Sequence, residues 1–382
     1  MAGHDTRPVP AVPRRRDGHC APVAVTGAGR SGYDPGMDSI THLFYGGAIA
    51  AAIVPARHRR AALLAGAALN TLPDLDIFPL MLSDDPVVRM TWHRSATHSW
   101  LVLPLVAWAL WSFFRRRGGR VAEEPKRWWW AILVCLMAHP LLDSFTVYGT
   151  QLFWPLPMRP VMWSSLFIVD PWFTLPWFAA CVVAWFARGR VVGTRALALG
   201  IALGAGYVGW SLLAKALVER AAAPALAAIG LADAPRFSVP APLTTLRWRV
   251  VAMEGGGFVE GERRVGDAAP MAFAFHPSDT AALQAASGIP AVRRLTWFNH
   301  GFEKAEVHDD TLVLSDLRMG QEPDYSFAYA VAKRAGDGWQ AVAPPYPARR
   351  LQARKAMAAM ARDWLHDEPA AHDAGTDTPA GE

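Results

Sequence analysis

Between residues 40 and 218 this 382-residue chain carries six apolar runs: Ile40–Val54, Ala61–Leu72, Trp100–Phe114, Trp128–Leu142, Trp172–Phe186 and Ala196–Val218. Helices apolar on every side must be surrounded by something apolar. A soluble all-helical core would have to bury all six in one small unit, so the pattern favours a lipid environment over that alternative. Several runs are shorter than the ~20 residues that cross a bilayer core. The second, at twelve residues, also fits a buried or half-embedded helix. Tryptophans flank the third and fifth runs, and indole rings favour the headgroup layer. Charged residues make up 19% of the chain against ~25% in an average soluble domain, which points the same way.

Charge in the connecting loops is uneven. After the first, third and fifth runs stand Arg57, Arg59, Arg60, Arg115, Arg116, Arg117, Arg120, Lys126, Arg127, Arg188, Arg190 and Arg195, twelve cations in all. After the second and fourth there are three, Arg89, Arg94 and Arg159. By the positive-inside rule the first set faces the cytoplasm. The second and fourth loops, and everything after residue 218, then face outward. The net charge of +5 therefore follows the membrane sides, and no nucleic-acid partner is expected, because the basic residues form no patch interleaved with aromatics.

The flanks differ from this block. Residues 1–36, with Pro8, Pro10, Pro13 and Arg14-Arg15-Arg16, have no apolar face and are expected to be disordered, or to lie ahead of a true start at Met37. Residues 219–366 are expected to form a β-rich outer domain. Its candidate strands are LRWRVVAM (246–253), MAFAFH (271–276), VRRLTWF (292–298), TLVLSDLRMG (311–320) and YSFAYAVAKR (325–334). Gly336-Asp337-Gly338 reads as a hairpin turn, Pro347–His366 as a helix, and residues 367–382 as a disordered acidic tail. The fold class is thus an α-helical membrane domain of about five to six helices over residues 37–218, followed by a small β-rich α+β outer domain.

Ionisable residues beside apolar segments are costly and ask for a reason. Here they collect toward the outward ends of the runs: His42, Asp74 and Asp76 in NTLPDLDIFP, His93 and His98 in WHRSATHS, and His139 and Asp143 in AHPLLDSF. His139 and Asp143, four apart, share one helical face and can grip one ion. Taken singly, each has an ordinary reading. Asp74 and Asp76 can cap the next helix, and His93 and His98 can be interfacial hydrogen bonders. Four histidines and three aspartates on one face favour a divalent metal, zinc or manganese, because oxygen and imidazole donors without cysteine suit such ions. The three cysteines, Cys20, Cys135 and Cys181, form no CxxC pair, and two lie in apolar runs as small hydrophobes. Seven candidates exceed one tetrahedral shell, so either two ions bind or some residues support the ligands. His276, His300 and His308 read as solvated or core histidines.

Several of these blocks together resemble a known family. Met37-Asp38-Ser39-Ile40-Thr41-His42, Pro73-Asp74-Leu75-Asp76, His93-Arg94-Ser95-Ala96-Thr97-His98-Ser99, His139-Pro140-Leu141-Leu142-Asp143, Tyr148-Gly149 and Phe153-Trp154-Pro155 are similar to the YdjM-like family of bacterial inner-membrane metal-dependent hydrolases. The resemblance implies a multi-pass protein of the inner membrane and a hydrolase activity, without a substrate. With the loop charges, it would place the site and the outer domain in the periplasm. The chemistry would be water activation by the metal, with Asp74 or Asp76 bridging ions or acting as general base. Arg94 would either neutralise an anionic phosphoester or lipid-linked substrate, or pair with a headgroup or a site aspartate. The competing reading is a non-catalytic membrane protein with a structural metal or ion-pathway cluster and a partner-binding outer domain.

Overall fold

The computed structural model describes residues 39–348. The expectations for residues 1–36, for most of the helix from Pro347 to His366 and for the acidic tail lie outside the described residues. Pro347 itself closes the last strand rather than opening a helix.

The first half is helical. Its elements are α1 (Ser39–Ile53), α2 (Arg59–Thr71), a 3-10 turn at Leu72–Asp76, α3 (Ile77–Leu80), α4 (Pro86–Trp92), α5 (Leu103–Arg117), α6 (Arg120–Glu123), α7 (Pro125–Ser144), α8 (Pro171–Ala187) and α9 (Val191–Ala228). Two helical stretches are long and apolar enough to cross a membrane, Ala56–Leu80 and Val191–Ala228. A third follows if Pro86–His98 and Leu103–Arg117, bent by 57° at their junction, count as one broken span. Two or three spans replace the five to six expected. The reason is local: α1 and α8 are short apolar helices, and the third run is preceded by a break at the His93–Ser99 loop.

The closest helix pair is α1 with α2, and small residues set its distance. A Cβ on Gly66 would stand 2.2 Å from the Gly46 carbonyl oxygen, and one on Gly46 would stand 2.2 Å from the Asn70 Cβ. Backbones meet here without side chains between them, as small residues permit in apolar helix pairs. The crossing holds His42 on α1 against Asn70 at the end of α2, 3.1 Å apart (Nδ1 to Oδ1).

At 38 residues α9 is ~57 Å long, nearly twice a bilayer core. It therefore runs on past Val218, where the apolar run ended, and leaves the helical half. Its last turns bury Ala214, Val218, Ala222 and Leu226 against Trp248, Val250 and Val259. The second half has two four-stranded antiparallel sheets. One is ordered β1-β2-β3-β4 (Arg236–Pro240, Arg247–Glu254, Gly257–Arg264, Ala274–Pro277). The other is ordered β10-β9-β6-β5, with β5 Glu303–His308, β6 Thr311–Asp316, β9 Ala328–Ala335 and β10 Gly338–Pro347. A small hairpin, β7 (Gly320–Gln321) with β8 (Asp324–Tyr325), follows β6. Helices α10 (Thr280–Ala285) and α11 (Pro290–Phe298) lie between the sheets in sequence.

One expected strand is a helix. VRRLTWF lies in α11, where Val292, Leu295 and Phe298 are buried at a spacing of three. Pro290 at its start and the helical period outweigh the β-branched and aromatic content of the segment. MAFAFH is strand only from Ala274. The two halves share cores: Val87 and Met90 of α4 and Tyr148 pack with Val292, Leu295, Phe298 and Leu312. Val147 packs with Phe237, Phe302 and Leu317. The β-rich half thus sits directly on α4 and on the loop that follows α7.

The α1–α2 crossing yields a contrast in glycine substitutions. Gly66→Val should drive the helices apart and cost ~3 kcal/mol, the upper end for overpacking. Gly206→Ala in α9, whose Cβ would meet nothing within 4 Å, should stabilise by up to ~1 kcal/mol through helix propensity. Thermal unfolding of the detergent-purified protein checks both signs.

Candidate metal centre

The site is built where α2 stops and α7 ends. Pro73 terminates the run of α2, and the 3-10 turn it starts presents Asp74 and Asp76. Neither aspartate acts as a cap: Asp76 precedes α3 with no side-chain capping bond. His139 and Asp143 lie one turn apart on α7, fully buried and pointing into the helix cluster rather than toward lipid. His93 and His98 come from the loop between α4 and α5.

Four of the seven expected residues converge. The ligand atoms of Asp74, His98, His139 and Asp143 lie within 4.8 Å of one another. His98 Nε2 is 3.0 Å from His139 Nε2 and 3.3 Å from both Asp74 Oδ1 and Asp143 Oδ2. His139 Nε2 is 3.3 Å from Asp74 Oδ1 and 3.2 Å from Asp143 Oδ2. Neighbouring donors around an ion with bonds of ~2.0–2.2 Å stand ~3.0–3.5 Å apart, so these spacings suit a metal shell.

The hydrogen bonds set the form of both imidazoles. His139 Nδ1 is 2.5 Å from the Asn70 carbonyl oxygen, which can only accept, so the ring carries its proton there. Thr97 Oγ1 donates its one proton to Asp76 Oδ2 at 2.9 Å and must accept from His98 Nδ1 at 3.0 Å. Both Nε2 atoms are then left as lone pairs facing each other and two carboxylate oxygens. Asp143 Oδ2 is buried and has no hydrogen-bond donor among the described residues. Four acceptors converging in a dry site call for a cation, and the bonds that orient the imidazoles from behind are those that hold metal-binding histidines.

Charge bookkeeping agrees. Asp74, Asp76 and Asp143 bring three negative charges, and Arg94 brings one positive, with Nη2 3.1 Å from Asp143 Oδ1. The excess of two is what a single divalent ion cancels. Asp85 and Asp170 are satisfied separately as helix caps, through Val87 and Val88 and through Trp172 and Phe173.

The remaining three candidates stand behind this group. His42 Nε2 is 3.3 Å from Asp143 Oδ1, and its ring lies 4.0 Å from that of His139. Asp76 holds His93 Nδ1 at 2.8 Å and the Arg94 backbone N–H at 3.2 Å. Arg94 itself is buried, tied to Asp143 and Thr146, and set over the Tyr148 ring, so its guanidinium supports a ligand instead of reaching an open face. His276, His300 and His308 belong to the outer domain, where His276 stacks on Phe258 and His300 donates to the Pro160 carbonyl.

A family profile described as YdjM inner membrane protein matches residues 37–218, which include every residue of this site. Residues 37–218 belong to that family. No curated protein and no solved structure is detectably similar to the chain. The YdjM-family region is thus the helical half, and the two sheets lie beyond it.

Sequence reasoning missed Asn70. This amide links three parts of the YdjM-family site: Oδ1 to His42, Nδ2 to the Cys135 carbonyl at 2.6 Å, and its own carbonyl to His139. Its signal was legible as the one amide inside the second apolar run, where an unpaired polar group is costly. Thr97 and Tyr148 were visible only as parts of longer motifs.

Purified full-length protein should carry about one divalent ion per chain by elemental analysis. His139→Ala and Asp143→Asn should lose it, whereas Asn70→Ala and Asp76→Asn should weaken binding by about 10–100-fold. Metal-free protein that stays folded and binds neither zinc nor manganese would mean that a proton, not a metal, holds the donors together.

Proposed function

We propose that the YdjM-family region is a membrane-embedded metal-dependent hydrolase acting on phosphoesters, with lipid-linked ones the favoured class. The observation that supports this most is the convergence of Asp74, His98, His139 and Asp143, with Asp143 Oδ2 buried and unmatched by a donor among the described residues. When bound, a divalent ion lowers the pKa of a coordinated water toward neutrality and draws charge from a phosphoryl oxygen.

The chain's own residues divide the remaining work. Asp74 is the one partly exposed member, with its side chain 17% accessible, so substrate approaches from its side. Leu75, Phe78, Met81 and Leu82 around that turn are exposed and apolar, which suits an entrance in the membrane–water interface. The His93–Asp76 pair has the geometry of an imidazole oriented by a carboxylate, and His93, its ring 5.7 Å from that of His98, is the side chain we propose as the base for the water's proton. Arg94 and His42 keep Asp143 ionised and aimed. Four protein donors would fill a tetrahedral zinc, so turnover favours an ion that takes five or six ligands, manganese above zinc.

The same count supports the competing reading, a structural zinc with no open position. Activity decides between them. Protein stripped with chelator and reloaded with manganese should hydrolyse bis(p-nitrophenyl) phosphate or phosphatidic acid, and His93→Ala should lose about 10²–10⁴-fold while keeping its metal. A loaded protein inert toward both would favour the structural reading. The proposed orientation puts residues 219–382 in the periplasm. An alkaline phosphatase fused after Val218 should therefore be active, and an inactive one would reverse the topology.

A further inference from the structure

Where the outer domain meets the helical half there is a cleft of about 480 Å³, lined among others by Trp92, Gln151, Trp154, Arg293, Arg294 and Trp297. The helix period explains its chemistry. Because α11 turns Val292, Leu295 and Phe298 into the outer core, Arg293, Arg294 and Trp297 are left for the cleft. Arg294 is held rigidly: Nε and Nη2 donate to Thr91 Oγ1 and O at 2.9 and 3.0 Å, and its guanidinium stacks 4.4 Å from the Trp297 ring. Its Nη1 makes no hydrogen bond to the described residues, and Arg293 is exposed. Neither arginine has a carboxylate within 4 Å among the described residues. Two adjacent guanidiniums without an acid repel each other and are suited to a phosphate, whose oxygens match the fork geometry.

The surroundings say what carries that phosphate. Trp92 is 44% exposed, and Leu156 on the cleft wall and Met158 just beyond it are about half exposed, an apolar rim unlike that of a site for a free ion. Indole and arginine together are the side chains of a headgroup layer. The cleft also adjoins the metal centre through the chain itself. Trp92 precedes His93, and Gln151 bonds the Thr91 carbonyl through its side chain and the Arg94 carbonyl through its backbone.

We infer that this cleft binds the phosphate of a membrane lipid, with Arg293 and Arg294 on the headgroup and the acyl chains leaving over the Trp92–Leu156 rim. The inference names the substrate class of the hydrolase reading and rests on it for turnover, but not for binding. Binding is therefore measured without turnover, on full-length protein in detergent with EDTA, using dioctanoyl phosphatidic acid as probe. Saturable binding is expected that weakens as salt rises. Arg293→Glu, at an exposed position whose side chain bonds none of the described residues, should weaken it about tenfold, and Arg293→Ala with Arg294→Ala further still. Lys333→Glu, the same charge change at an exposed position near the end of β9, should leave it unchanged. Dioctanoylglycerol should not compete, and inorganic phosphate should compete only at far higher concentration. His139→Ala should keep lipid binding while losing metal, which separates this inference from the metal reading. Undiminished binding in Arg293→Glu overturns the proposal. So does equal competition by dioctanoylglycerol, which would make the cleft an apolar groove, or by inorganic phosphate, which would make it an ion site.

Discussion

Three carboxylates and one guanidinium packed among apolar helices form the constraint on which the rest of this molecule depends. Asp143 is buried within α7, and Asp76 is nearly so. Burying such groups without compensation would cost several kcal/mol each, comparable to the stability of a whole domain. The chain's answer is to bring Arg94 to Asp143, His93 to Asp76, and His98 and His139 to face Asp74. Those residues come from three segments: the turn after α2, the loop between α4 and α5, and the end of α7. The fold of the helical half is, in this sense, the arrangement that lets these charges meet.

That arrangement explains features that would otherwise look unrelated. The glycine contact between α1 and α2 brings the His42–Asn70 pair to the back of His139. The break between α4 and α5 exists because His93, Arg94 and His98 must face inward from a loop, and it bends what would be a third span by 57°. The length of α9 ties the membrane part to the outer sheets, whose core then closes over Tyr148, the ring that carries Arg94. Packing and site chemistry are therefore coupled through a few residues, and a change in the outer core at Phe298, 5.5 Å from the Tyr148 ring, is felt near Asp143.

Much of this was legible in the sequence, and the exceptions have physical reasons. The helical and β-rich halves, the strands over Arg247–Glu254, Thr311–Asp316 and Ala328–Ala335, and the nearness of the seven polar residues all follow from period and cost. The number of candidate spans did not, because α1 and α8 are apolar but short, the third run joins α4 only through a 57° bend, and the second run, which on its own also fits a half-embedded helix, belongs to a longer stretch, Ala56–Leu80. The strand assigned at VRRLTWF failed because composition was read without its period. Within the site, residue types identified the candidates, but only geometry separates Asp74, which meets the Nε2 atoms of His98 and His139, from Asp76, two residues on, which meets His93 and the Nδ1 side of His98. A period of two or three along a short 3-10 turn carries no such information.

The backbone at Arg94 shows how tightly the arrangement is held. Arg94 has φ of 61°, a left-handed conformation that costs a non-glycine residue of order 1 kcal/mol or more. Its N–H donates to Asp76 Oδ2, its carbonyl accepts from the Gln151 N–H at 2.9 Å, and its side chain reaches Asp143 and Thr146. Glycine would relieve the backbone yet remove the one guanidinium that faces Asp143 among the described residues. The strained turn is the one that serves both carboxylates with consecutive residues. Such a conformation persists only where its surroundings over-determine it, and here Asp76, Gln151, Asp143 and Thr146 together do so.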